Sequence, residues 1–409
     1  MKRILFIAFT LCSVIPMMAE QRVEVQAVLN ILRNLYGHKI ISSSMANVDW
    51  NCTEAENVFK WTGKYPAMNT FDFIHYEVSA DVVGESWIDY SDMTVINNWW
   101  QQGGLVSCMW HWGQPNNAGT SYTCTPGTGA SETSFDPSKI NNPSSPEYAK
   151  MVKDLDQIAG YLQQMQALGI PVIWRPFHEA AGNTNVYQGG TAWFWWGIKG
   201  SEVYKQLWQF MYNYFTKTKG LNNLIWVWNG GVKDDDWYPG DNYVDIVSID
   251  YYGSDLSVLT TAYQHFTTQY PQKLVALAEC GNLGDNKLMS LETMWNAGCK
   301  WMYAMPWYDY YYNAAESPEP SSHDYYIWYV DAMGKEYVVD RCEMKQLITM
   351  ALAGEEDTSI IPITMPHFQP EYVYKEISGN ASCSLSGQRI NDSYKGVVIK
   401  NGNKYLHRP

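Results

Sequence analysis

Residues 148–179 read YAKMVKDLDQIAGYLQQMQALGIPVIWRPFHE. The first two thirds repeat apolar residues at helical spacing, with Met151, Leu155, Ile158, Ala159, Leu162 and Met165 on one face. After Leu168-Gly169 the pattern changes to a short apolar run, 170–176, that ends in Arg175-Pro176 and is followed at once by His178-Glu179. A helix feeding a continuous apolar strand is the unit of a parallel sheet buried on both faces.

The same unit recurs outward in both directions. Short apolar, β-rich runs lie at 39–45, 65–73, 104–110, 170–176, 224–229, 244–252, 274–279 and 300–307. A second helical pattern, 203–215, carries Leu207, Phe210, Met211 and Tyr214 on one face. Eight such units in about 270 residues predict a (β/α)8 TIM barrel, an α/β fold. A doubly wound open sheet is the alternative, but no G-x-G-x-x-G loop follows any strand. No internal repeat of 20–50 residues is present.

Composition narrows the function classes. The 409 residues carry a formal charge of −14, with 17% charged and 15% aromatic residues. A disordered chain would be charge-rich and poor in aromatics. An acidic chain with no basic stripe suits no phosphate backbone, so nucleic acid is not an expected partner. Tryptophan is in excess, at 19 residues. Trp99-Trp100, Trp110, Trp112, Trp193, Trp195 and Trp196 stand in polar company, which suggests faces for the C–H surface of a sugar. Burial in a large barrel is the competing account for any one of them.

The chain divides into four segments. Residues 1–19 read as a secretory signal peptide, with basic Lys2-Arg3, an apolar stretch and small Ala19 at the cleavage site. Leu11 before Cys12 is too large for the usual lipobox, which disfavours lipidation. Residues 20–353 form the expected catalytic barrel, and 354–379 a Pro-rich linker. Residues 380–409 read as a short β-like tail, with Asn401-Gly402 between apolar runs marking a tight hairpin. That tail resembles the C-terminal sorting tails of exported Bacteroidetes proteins, which implies a secretion signal. The protein is thus expected to be exported, to the cell surface, the periplasm or beyond, as a monomer with no membrane span. Apart from Cys12, the seven cysteines at 52, 108, 124, 280, 299, 342 and 383 show no C-x-x-C pairing, so no dense disulfide framework is expected, though one disulfide would suit an exported protein.

Polar residues just after barrel strands face the catalytic side. That rule selects His111, Arg175 with His178-Glu179, Asn229, Asp250-Tyr251-Tyr252, Glu279 and Trp307. The polar loop 113–142 and the insert 182–192 would wall the cleft. Glu179 and Glu279 close the fourth and seventh units. Two carboxyl groups about 5–5.5 Å apart can divide proton donation and nucleophilic attack in a retaining glycosidase. Structural Glu–Arg pairs also occur at strand ends, and Arg175 is at hand for one. Tyr252 could donate to Glu279 or simply pack in the core. Trp307 could stack under a sugar or be core. Asn229 could hold a hydroxyl, orient Glu179 or cap a turn. His178-Glu179-Ala-Ala-Gly182 lacks the second histidine of a zinc motif, so no metal and no cofactor are expected.

Trp174-Arg-Pro-Phe-His-Glu179, Trp193-Phe-Trp-Trp-Gly197 and Trp226-Val-Trp-Asn229 together closely resemble glycoside hydrolase family 26 over roughly residues 35–307. The resemblance implies a (β/α)8 retaining enzyme, most often an endo-β-1,4-mannanase acting on mannan or galactomannan. It implies Glu179 as acid/base, Glu279 as nucleophile and His178 as the histidine before the acid/base. It implies Tyr252 as the tyrosine on the nucleophile, Trp193 and Trp307 as subsite tryptophans, and His111 in the −1 region. Residues 180–192 form an insertion relative to the common family pattern, next to the leaving-group subsites. Xylan or β-glucan remains an alternative substrate, and a non-catalytic carbohydrate-binding protein an alternative class.

Overall fold

The computed structural model describes residues 21–46, 50–76, 88–281, 288–308 and 324–354, together with the strands Cys383–Ser384, Gly396–Lys400 and Asn403–His407. Eight parallel strands close into a barrel. They are β1 (Ile40–Met45), β2 (Met68–Asp72), β3 (Leu105–Trp110), β4 (Val172–Pro176), β5 (Leu224–Asn229), β6 (Ile246–Tyr251), β7 (Leu274–Cys280) and β8 (Tyr303–Pro306). Each pairs with the next, and Ile41 of β1 opposite Tyr303 of β8 closes the ring. The strand Val338–Val339 lies parallel to the start of β1.

All eight expected runs are strands; six have trimmed ends, 224–229 matches, and 274–279 extends to Cys280. The run at 65–73 narrows to Met68–Asp72, because Pro66 has no N–H to give a ladder. The helix read from 148–168 is α4, Pro146–Ala167, with the Ser145 side chain accepting from the Tyr148 N–H and Pro146 in its first turn. Its inward face is Met151, Leu155, Ile158, Ala159, Leu162 and Met165, as the spacing required, with Asp154 buried beside them. Gly169, at φ 72°, makes the turn into β4. The pattern at 203–215 is α5, Ser201–Asn213, which runs on into a π-helical turn, Tyr214–Thr218. Between β5 and β6 the chain makes only two 3₁₀ turns, Asp235–Trp237 and Asp241–Tyr243.

The tryptophan reading needs correction. Trp99, Trp100, Trp110, Trp112, Trp195 and Trp196 are buried, and of that set only Trp193 is exposed. An indole N–H in a core needs a partner, and several have one. Trp99 donates to the Leu105 carbonyl (2.9 Å), Trp112 to Asp154 (2.8 Å), Trp195 to the Trp112 carbonyl (2.6 Å) and Trp196 to the His178 carbonyl (2.9 Å). Trp110 stacks on Trp112 at 4.3 Å, and Trp112 meets Trp195 edge-on at 5.1 Å.

The tail strands form an antiparallel sheet in which Lys400 faces Asn403, the register of a tight hairpin. The signal segment 1–19 and nearly all of the linker, 355–379, lie outside the described residues. Cys342 is disulfide-bonded. Cys52, Cys108, Cys280 and Cys299 are free thiols. Among the described residues no helix is long and apolar enough to cross a membrane.

Candidate active site

Arg175, on β4, is only 2% exposed and sits inside the barrel's C-terminal mouth. A buried guanidinium demands paired charge. Its Nη1 donates to Asp250 Oδ2 of β6 at 3.0 Å, and its Nη2 donates to Glu279 Oε1 of β7. The Tyr252 hydroxyl donates to the other oxygen, Glu279 Oε2, at 2.6 Å. Both oxygens of Glu279 therefore have fixed donors, which sets the carboxylate's orientation. Burial, followed by the charge of Glu279, pushes the Tyr252 phenol up, so it stays a donor.

Glu179 is placed differently, by its backbone. Phe177 and Glu179 adopt φ of 52° and 50°, a left-handed conformation that costs a non-glycine residue about 1–3 kcal/mol. Hydrogen bonds hold the strained turn on every side. The Tyr204 hydroxyl donates to the Phe177 carbonyl (3.3 Å), and the Gly182 N–H donates to the Glu179 carbonyl (2.9 Å). The Glu179 N–H donates to Asn229 Oδ1 at 2.9 Å, and Asn229 Nδ2 donates in turn to Asp250 Oδ1 at 2.8 Å. An unbroken chain thus runs from Glu279 through Arg175, Asp250 and Asn229 to the backbone of Glu179. Burial, and then the negative charges of Asp250 and Glu279, hold the Glu179 carboxyl well above its ordinary range. Burial pushes Asp250 up to about 7 against the lowering pull of Arg175.

A second group lines the same mouth. His111 follows β3, and its Nδ1 lies 2.5 Å from Asp72 Oδ2 while its backbone N–H donates to Asp72 Oδ1 at 3.1 Å. His111 Nε2 lies 3.1 Å from His178 Nε2. Burial lowers the His111 ring, but Asp72 outweighs burial and the net shift is upward. His178 moves well below its usual value, through burial and then through the positive charges of His111 and Arg175. His111 is therefore the more readily protonated ring of the pair. Phe194 packs against both rings, at 5.8 Å from His111 and 5.1 Å from His178. Trp307 meets His111 edge-on at 5.9 Å.

The fold brings Glu179, Glu279, His111, His178, Asn229, Tyr252 and Trp307 to one mouth. Trp193 stands apart, 45% exposed at the end of the 180–192 insert, and its neighbour Phe194 occupies the place against the histidines. Asp72 and Phe194 are the additions that sequence reasoning missed. Asp72 was findable as the last residue of its strand, by the rule that selected the others. A carboxylic acid that holds its proton beside a carboxylate with fixed donors is equipped for acid catalysis paired with nucleophilic attack.

The two histidines give opposite linkage. His111 is raised, so its contribution to stability is fully present below its unfolded value, about 6.5, and is lost as pH rises through its folded value. His178 is lowered, so its contribution is present above about 6.5 and is lost as pH falls through its folded value. In a histidine NMR titration the His111 ring should titrate above, and the His178 ring below, an unfolded histidine. Asp72→Asn should bring His111 down past that reference. Two rings titrating together near 6.5 would contradict the assignment.

Comparison with known proteins agrees with this geometry. The family model of glycosyl hydrolase family 26 matches residues 18–327. A mannan endo-1,4-beta-mannosidase of Thermothelomyces thermophilus is 33% identical over 300 residues, 72% of this chain and 57% of the relative. Mannan endo-1,4-beta-mannosidase B of Piromyces sp. is 33% identical over 285 residues, 68% of this chain and 45% of the relative. The chain spans about half the length of these relatives. Among solved structures, the family 26 domain of an endo-beta-mannanase/endo-beta-glucanase of Prevotella bryantii aligns with a TM-score of 0.72 and 37% identity, over 80% of this chain and 98% of that one. With the barrel, the carboxylate pair and a family match over three quarters of its length, the chain belongs to glycosyl hydrolase family 26.

Proposed function

We propose that the protein is a retaining endo-β-1,4-mannanase, exported and acting as a monomer, with its catalytic barrel in residues 20–353, a linker over 354–379 and a sorting tail over 380–409. One observation carries the reading. Burial raises the Glu179 carboxyl well above its ordinary range, while Glu279 across the mouth has both oxygens engaged by Arg175 and Tyr252. The mannanase names of relatives at 33% identity support the choice of sugar.

The steps follow from that asymmetry. Glu279 attacks the anomeric carbon as Glu179 gives its proton to the glycosidic oxygen, and the carbon–oxygen bond to the leaving sugar breaks. Glu179, now a carboxylate, takes a proton from water as that water attacks the same carbon and frees Glu279. Arg175 and Tyr252 orient Glu279 for attack and stabilise it again as it departs. Trp307 lies under the ring of the −1 sugar. Mannose differs from glucose in an axial 2-hydroxyl, which moves as the ring flattens. The His111–His178 pair and Glu279 surround the expected position of that hydroxyl and bind it best in the transition state.

Two experiments test this. Glu279→Ala should lose turnover on every substrate, because no glycosyl-enzyme can form. Glu179→Ala should still be glycosylated by aryl glycosides with good leaving groups, with azide partly restoring the second step. Equal loss on natural and activated substrates, without rescue, rejects the role of Glu179. Product release from linear mannan, xylan and barley glucan, followed by proton NMR, should give β-mannose ends first. It should also show kcat/KM on mannan at least about 10³ above the others. Comparable rates on xylan, or an initial α-anomer, would refute the reading.

A further inference from the structure

Tyr252 reaches Glu279 by crossing from the end of β6 to β7, and strand register makes the crossing possible. The two strands pair from Ile246 opposite Leu274 to Ile249 opposite Leu277. There β7 takes one extra residue, so that Asp250 faces Glu279 and Tyr251 faces Cys280. Continued by one residue, that register sets Tyr252 beside Gly281. Side chains two residues apart on a strand share a face. A side chain at 281 would therefore point to the same side as Glu279, where the Tyr252 ring lies.

That space is already filled. A Cβ at 281 would lie 2.4 Å from Cε1 and 2.7 Å from Cδ1 of Tyr252, and 3.4 Å from the Tyr325 hydroxyl oxygen. The φ of Gly281 is outside the left-handed region, so its backbone is one that any residue adopts. The glycine supplies room and not a conformation. Both backbones at the contact are tied. Trp307 N–H donates to the Cys280 carbonyl at 2.7 Å. The Tyr251 hydroxyl accepts from the Asp255 N–H at 2.8 Å and donates to the Asp255 carbonyl at 3.1 Å, which closes the turn that carries Tyr252. With a methyl group at 281 the ring itself must retreat. Two carbons rest about 3.5–4.0 Å apart, so the retreat is about an ångström. That takes the 2.6 Å contact between the Tyr252 hydroxyl and Glu279 Oε2 beyond hydrogen-bond range.

We propose that Gly281 is a positioning residue for the nucleophile: its lack of a side chain seats the Tyr252 ring where the hydroxyl meets Glu279. The proposal rests on the reading of Glu279 as the attacking group and extends it to a residue that acts only through Tyr252. With the ring displaced, Arg175 on Oε1 is left as the carboxylate's remaining donor of the two. A carboxylate held at one oxygen is free to turn away from the line of attack, and misplacement on this scale is costly to the rate.

The test introduces Gly281→Ala into the wild type, into Tyr252→Phe and into Tyr252→Ala, and reads melting temperature and kcat on linear mannan. Tyr252→Phe keeps the ring and its clash but has no hydroxyl to displace, and Tyr252→Ala removes both. Melting temperature should fall by a few degrees in the wild type and in Tyr252→Phe, and hold in Tyr252→Ala. In the wild type kcat should fall at least about tenfold, the loss of one hydrogen bond to a charged group, and it should hold in both variant backgrounds. A fall by the same factor in all three backgrounds would give Gly281 a role apart from Tyr252 and overturn the proposal, as would an unchanged kcat in the wild type. The Tyr252→Ala background decides the matter even where the methyl group prevents folding beside a ring: unchanged kcat there supports the proposal, and a loss of about tenfold overturns it. A wild type that hydrolyses xylan or barley glucan but not mannan overturns the sugar reading alone, and the same comparison is then read on that polymer. A wild type that hydrolyses none of them overturns the glycosidase reading of Glu279 and the role of Gly281 with it.

Discussion

The Arg175 guanidinium is the charge on which the rest of the site depends. It lies inside the barrel with almost no exposure, donating to Asp250 and to Glu279. Two carboxylates in a medium of low dielectric repel each other, and each would take up a proton without a cation between them. Removing one partner from such a buried cluster costs about 3–5 kcal/mol, because the remaining charge is left uncompensated. Arg175 thereby allows three acidic side chains to converge at one barrel mouth. It can bridge β6 and β7 from β4 because all three are parallel strands of one closed barrel, whose C-terminal ends converge on one mouth.

The two key glutamates are held by unlike means, and the difference matches their proposed roles. Glu279 lies near the end of β7, just past a register shift against β6, and is fixed through its side-chain oxygens by Arg175 and Tyr252. Glu179 sits on a strained turn and is fixed through its backbone, by Asn229 and by the loop that follows. Its carboxyl is thus free of a cationic partner, and burial and nearby negative charge act on it unopposed by any direct ion pair. Asp250 reaches both arms at once, through Arg175 and through Asn229. It neither attacks nor donates in the scheme, and acts as a positioning residue.

The barrel was legible because each strand is buried on both faces. Runs such as Leu-Val-Ala-Leu-Ala-Glu-Cys over β7 are apolar throughout and stand out from helical spacing. Asn229 and Tyr252 were legible because a barrel collects the residues after its strands on one side, and each had an orienting role open to it. Other features left no mark in the sequence. Phe177 and Glu179 take left-handed backbone with neither glycine nor asparagine to announce it. Tryptophan composition cannot separate a sugar platform from a core, since the same indole serves both; Trp195 and Trp196 are fully buried while Trp193 is exposed. Asp72 ends its strand and was open to the same rule as the others, but its pairing with His111, distant in the chain, was not readable from the sequence.

The central claim is that burial, reinforced by the negative charges of Asp250 and Glu279, raises the Glu179 carboxyl and so favours its protonated form. The alkaline limb of kcat/KM against pH measures that proton directly in the free enzyme. Asp250→Asn keeps the shape while removing the charge, and its one amide oxygen can accept from Asn229 or from Arg175 but not from both. Loss of a neighbouring negative charge lowers the Glu179 value, so the alkaline limb should move to lower pH in this variant. An alkaline limb that stays in place, or moves to higher pH, would contradict the account.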